Sequence, residues 1–116
     1  MKDKILTALI NILLIPLAVI LWTGIAAGED AKGKMLYTSK CQLCHGVKGD
    51  GKGRAAVYLG SKPADFTDPK FWKENDDKKI ADIIENGQDE MPGFELKPEE
   101  MKALIDYLHI FNASAK

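Results

Sequence analysis

The sequence predicts an all-α fold, a small bundle of three to four helices joined by long loops, and three observations predict it. Apolar residues recur at i, i+3 and i+4 in the second half of the chain, as they do on one face of a helix. No segment alternates polar and apolar residues as a half-buried strand would, and no internal repeat is present. Gly- and Pro-bearing stretches separate the periodic segments and read as loops.

The chain has 116 residues, enough for one domain at most, and its N-terminus differs in kind from the rest. From Ile5 to Ala27 it reads ILTALINILLIPLAVILWTGIAA, uncharged throughout and interrupted only by Thr7, Asn11, Pro16, Thr23 and Gly24. As a helix these 23 residues would extend about 35 Å, enough to cross a hydrocarbon core of about 30 Å. Ala26-Ala27-Gly28, directly before Glu29, also resembles a signal cleavage site. Residues 1–28 are therefore read as a signal peptide or an N-terminal membrane anchor, with Trp22 suited to the interface if the segment is retained, and residues 29–116 as the exported domain. Both readings put that domain in the periplasm or at the outer face of the cytoplasmic membrane, the second with membrane contact through Ile5 to Ala27.

Without Lys2, Lys4 and Asp3 the exported part has a formal charge of about −2, with no basic stripe, so nucleic acid is not an expected partner. A domain this short sits near the limit at which a hydrophobic core suffices unaided. Its two cysteines, Cys41 and Cys44, would close too short a loop as a disulfide to restrain the chain. The missing core must come from elsewhere.

In order, Asp30 to Lys40 is expected to be a helix with Asp30 as N-cap and Met35, Leu36 and Tyr37 on its apolar side. Gly33 would let another helix approach it closely. A long loop from Gly46 to Pro69 follows, with apolar knots at Ala55–Leu59 and Phe66; such a loop belongs in a compact domain only if it is functional or wraps something. Phe71-Trp72 begins a short turn. Asn75, Asp76 and Asp77 are N-cap candidates for a helix through Asn86, with Ile80, Ile83 and Ile84 on one face and Gly87 as its stop. After the linker QDEMPGFELK, Pro98 opens the clearest helix, with Glu99-Glu100 in its first turn, Met101, Leu104, Ile105 and Leu108 on one stripe, and an end near Asn112. Its N-cap would be Lys97, whose side chain has no acceptor.

The segment CQLCHGVKGDGKGR, Cys41 to Arg54, can be parsed in two ways. From Gly46 it gives G-x-x-x-x-G-K, but Gly53 stands where a phosphate loop needs Ser or Thr, and no strand precedes it, so this match is compositional. From Cys41 it gives C-x-x-C-H. Two thiols separated by two residues on a helical turn can each form a thioether with a porphyrin vinyl group, and His45 is then directed at the iron. A thioredoxin-like pair would need a βαβ context and a zinc site another pair of ligands, and neither is in the sequence. A covalent macrocycle would also supply the missing core.

Four residues are candidates for the sixth position of such an iron: Met35, Met91, Met101 and His109. Met35 and Met101 lie on helices and read as core packing, and His109 stands near a helix C-terminus, where an imidazole complements the dipole. Met91 differs because it stands in a loop before Pro92-Gly93; it is the favoured ligand, the alternative being a loop methionine anchored on the core.

With CQLCHG followed by GDGKG, then PADFTDPKFW, MPGF and a closing helix containing Tyr107-Leu108, the chain from Asp30 to Phe111 resembles a small single-haem class I c-type cytochrome. The resemblance implies that Cys41 and Cys44 carry the thioethers of one haem c, with His45 as proximal and Met91 as distal iron ligand. It implies that Phe66 and Trp72 pack around the haem, and that the first and last helices cross at Gly33, Leu36 and Tyr37 against Tyr107 and Leu108. Histidine and methionine together fill both axial positions, so the expected role is not that of an enzyme but of a monomeric one-electron carrier, cycling between Fe(II) and Fe(III) and docking transiently on redox protein partners. Lysines 32, 34, 40, 48 and 52 would either ring the haem edge or simply be solvated. Two alternatives are a membrane-anchored cytochrome subunit of a larger oxidoreductase, and a haem gas sensor or peroxidase in which Met91 detaches. In one departure, Arg54 takes a place where similar sequences often have a proline whose carbonyl orients the proximal imidazole, which leaves open which carbonyl holds the Nδ1 proton of His45.

Overall fold

The computed structural model of the protein describes residues 1–6 and 26–114. The apolar run from Ile5 to Ala27, except at its two ends, lies outside the described residues, and with it the choice between signal peptide and anchor. Among the described residues no helix is long and apolar enough to cross a membrane. The elements are α1 (Ala26–Lys40), α2 (Gln42–His45), a 3₁₀ turn (Ala56–Tyr58), α3 (Pro69–Glu74), α4 (Asp77–Asn86) and α5 (Pro98–Ser114). The described residues form no strand, as the sequence predicts, and contain one isolated antiparallel pair, Gln88 with Met91.

Helix α1 is already formed at Ala26, so Asp30 lies within it rather than capping it. Its buried stripe is Gly33, Leu36 and Tyr37, at i, i+3 and i+4. Met35 is rotated about 100° from Leu36 and is 62% exposed, not packed in the core.

Helix α5 crosses this stripe. A Cβ added to Gly33 would lie 2.2 Å from the Ala103 carbonyl oxygen and 2.8 Å from Tyr107 Cβ, so the two helices meet backbone to backbone. Around the crossing, the Tyr37 ring lies 5.5 Å from that of Tyr107 and 5.1 Å from that of Phe111, while Leu36, Leu104 and Leu108 are buried beside it. The buried Tyr37 hydroxyl donates to the Gly46 carbonyl at 2.6 Å, which ties the crossing to the segment after Cys44.

Caps define the remaining helices. The Asp76 side chain accepts the Lys79 N–H at 2.8 Å, and Gly87, at φ 77°, ends α4 with its N–H on the Ile83 carbonyl at 2.8 Å. The expected turn at Phe71-Trp72 is a full short helix because the Asp68 side chain accepts the Lys70 N–H at 2.8 Å and Pro69 fits the first helical position. At α5 the side chain of Glu100 accepts the Lys97 N–H at 3.0 Å, the half of a capping box that needs no acceptor on Lys97. Past Asn112 no Gly or Pro stops the helix, and it continues to Ser114. Asp76→Ala should cost about 1 kcal/mol, measured by chemical denaturation, with the m-value unchanged.

Ile80 and Ile84 of α4 join Leu104, Ile105 and Leu108 of α5 in the core, and Phe66 packs into it from the loop. In the knot Ala55–Leu59, by contrast, Val57 and Tyr58 are 79% and 85% exposed.

Candidate haem site

Cys41, Cys44 and His45 fall at i, i+3 and i+4, which puts them on one face of a single helical turn. The His45 N–H closes that turn on the Cys41 carbonyl at 2.9 Å. So short a helix leaves its last carbonyls without partners inside it, and the glycine-rich segment supplies them. The N–H groups of Gly51, Gly53 and Ala55 bond to the carbonyls of His45, Cys44 and Leu43 at 2.8, 3.0 and 3.0 Å. Gly53 has to be glycine for this approach, since a Cβ there would lie 2.2 Å from the Leu43 carbonyl oxygen. These amides face the attachment turn, so they are not available to cradle a phosphate.

His45 is 8% exposed, and its ring stacks on Phe66 at 4.7 Å with an interplanar angle of 18°. Its Nδ1 lies 3.1 Å from the Ala64 carbonyl oxygen. A carbonyl can only accept, so Nδ1 carries the proton and Nε2 of the neutral ring presents a lone pair. Burial lowers the imidazole pKa and favours this neutral form, while the bond to Ala64 acts the other way. The orienting carbonyl thus comes from the Pro63-Ala64 segment, while Arg54 is exposed.

A cavity of about 570 Å³ opens beside this turn, a size typical of cofactor sites. Cys41, Cys44, His45, Phe66 and Met91 all line it. Apolar side chains close it: Phe71 from α3, Ile80, Ile83 and Ile84 from α4, Phe94 and Leu108. Both cysteines are free, and burial pushes the Cys41 thiol up to about 11. Met91 sits in a tight turn in which its N–H and carbonyl pair with Gln88 at 2.9 and 3.1 Å, with Asp89 in the left-handed region at φ 51°. The neighbouring Glu90 carboxylate accepts the Ser61 N–H at 2.8 Å and the Ser61 hydroxyl at 3.2 Å, bonds that hold its pKa below the usual carboxylate range.

The other candidates lie elsewhere. Met35 points to solvent, and Met101 packs on the core without lining the cavity. His109 bonds Asp77 at 2.8 Å, and its ring lies 4.4 Å from that of Trp72 at an interplanar angle of 30°. Trp72 is not among the cavity-lining residues; its Nε1–H donates to the Phe66 carbonyl at 2.8 Å, so it braces Phe66 from behind. The cavity ring from α3 is Phe71 instead. Residue type did not separate these adjacent aromatics; only the helical phase of α3, which starts at Pro69, does so.

The residues present suit a covalent haem: two free thiols, an imidazole with its Nε2 lone pair unspent, a thioether, and an apolar enclosure around them. Fold and cavity together define a c-type cytochrome domain. Comparison with known proteins narrows this. Residues 28–108 match the family described as cytochrome C oxidase, cbb3-type, subunit III, and the chain belongs to that family. It is 27% identical over 85 residues to a cytochrome c-553-like protein of Synechocystis sp. (strain ATCC 27184 / PCC 6803 / Kazusa), covering 70% of this chain and 68% of that one. Its fold is similar to the solved KustC0563 c-type cytochrome, with a TM-score of 0.59 and 33% identity over 68% of this chain and 95% of that one. The protein is thus an electron-transfer protein with covalently bound haem c, not an enzyme.

Proposed function

We propose that the protein is a one-electron carrier in which Cys41 and Cys44 would hold one haem c and His45 Nε2 and the Met91 sulfur would ligate its iron. The observation that carries this reading is that His45 and Met91 line one cavity while Met35, Met101 and His109 do not. When bound, the haem supplies an Fe(II)/Fe(III) couple. The chain does the rest. Ala64 orients the proximal ring, the Met91 thioether, soft and neutral, favours Fe(II), and the apolar lining excludes water and disfavours the extra charge of Fe(III). With His45 and Met91 as its ligands, the iron would offer no open site to oxygen or peroxide.

Docking on redox partners is transient, at the mouth of the cavity. Leu43, which lines the cavity, is exposed, as are Val57 and Tyr58, and Lys40 and Lys62 add positive charge among the lining residues. Lys40 sits 5.5 Å from the Phe94 ring centroid. An apolar centre with a charged rim gives fast, reversible association. The domain, residues 29–116, works as a monomer in the periplasm or at the outer face of the cytoplasmic membrane, behind a signal peptide or anchor in residues 1–28. The family's description as an oxidase subunit favours a second reading, a membrane-anchored cytochrome subunit of a larger complex; recovery of the chain in such a complex from solubilised membranes would select it.

The test is exposure of the reduced holoprotein to carbon monoxide at neutral pH. The carrier should take up none and should titrate with one electron per chain. Carbon monoxide binding to the native protein would instead mark a sensor or peroxidase with a labile Met91.

A further inference from the structure

Two chain segments that line the cavity come from distant parts of the sequence. One is the run from Leu59 to Ala64, whose last carbonyl orients His45; the other is the turn Gln88–Met91 with the Phe94 that follows. The turn is fastened to its own side of the molecule by the Gln88–Met91 pair and by the Phe94 N–H, which bonds the Ile84 carbonyl at 2.8 Å. None of those bonds reaches the first segment. Glu90 does. Its Oε2 takes both the Ser61 N–H and the Ser61 hydroxyl, and the Gly60 backbone lies so close that a Cβ there would be 3.5 Å from the same oxygen.

We propose that Glu90 is a positioning residue for the distal ligand: by clasping the Gly60-Ser61 backbone it joins the Met91 turn to the segment that orients His45 and keeps Met91 from swinging off the iron. The proposal rests on the reading of Met91 as that ligand. A carboxylate suits the task because hydrogen bonds from N–H to an ionised acceptor are about twice as strong as neutral ones. The clasp lies at the surface, where water competes for the same groups. Losing it should therefore loosen Met91 several-fold without unfolding the domain.

The experiment uses the ferric full-length holoprotein and saturating imidazole, which binds only after Met91 leaves, so the limiting rate reports its release. Glu90→Ala should raise that rate about fivefold, and Glu90→Gln, which keeps an acceptor oxygen, about twofold. Ser61→Ala added to Glu90→Ala should change nothing further, since the two residues act as one contact. Loss of the long-wavelength methionine-to-iron band in Glu90→Ala, with helical circular dichroism intact, would support the clasp equally. A wild-type release rate in Glu90→Ala overturns the proposal, provided Met91→Ala abolishes the band. If Met91→Ala keeps the band, the ligand reading fails and the clasp fails with it.

Discussion

Gly33→Ala should lower the stability of the holoprotein by about 2 kcal/mol, even though alanine is the better helix former. Propensity alone would favour the substitution by about 1 kcal/mol. Against it stands the Ala103 carbonyl oxygen, 2.2 Å from where the new methyl would be. That atom belongs to the backbone of α5 and cannot rotate away, so α1 and α5 must move apart and loosen Leu36 and Tyr37 from Leu104 and Leu108. Overpacking of this kind costs about 3 kcal/mol, which exceeds the propensity gain. Gly28→Ala in the full chain is the matched control, because nothing lies within 4 Å of that position, and it should stabilise slightly. Denaturation midpoints of the two variants decide the matter. Equal gains from both would mean that the helices do not touch at Gly33.

Met91→Ala should abolish the long-wavelength methionine-to-iron band and lower the reduction potential by on the order of 0.1 V, within the roughly 0.8 V that axial ligands span. The direction follows from chemistry: the thioether favours Fe(II), and its loss opens a coordination position to water, which does so less well. The reduced variant should also take up carbon monoxide, which the parent should not. Met35→Ala and Met101→Ala should leave spectrum and potential unchanged, because neither side chain lines the cavity. An unaltered band in Met91→Ala would show that another group holds the distal position.

Helices α4 and α5 could be read from the chain because periodic apolar residues and caps coincide there: Asp76 and Gly87 frame one, and Pro98 opens the other. The grouping of Cys41, Cys44 and His45 was equally legible, being set within one turn. The extent of α1 was not, since Asp30 has the residue type of an N-cap yet lies within a helix already formed at Ala26. The Ala64 carbonyl left no trace because a backbone acceptor has no residue signature. Glu90 and Ser61, 29 residues apart, are two ordinary polar residues until the chain brings them together.

The backing of the attachment turn by Gly51, Gly53 and Ala55 has a consequence for the order of events during folding. All of its bonds lie within the short segment from Cys41 to Ala55, so little chain entropy is lost in closing it. Met91, by contrast, comes to the cavity only when α4 has found its place against α5 and the early loop. The two thiols should therefore be held ready for the cofactor while the later half of the chain is still unformed, and the distal ligand should arrive last.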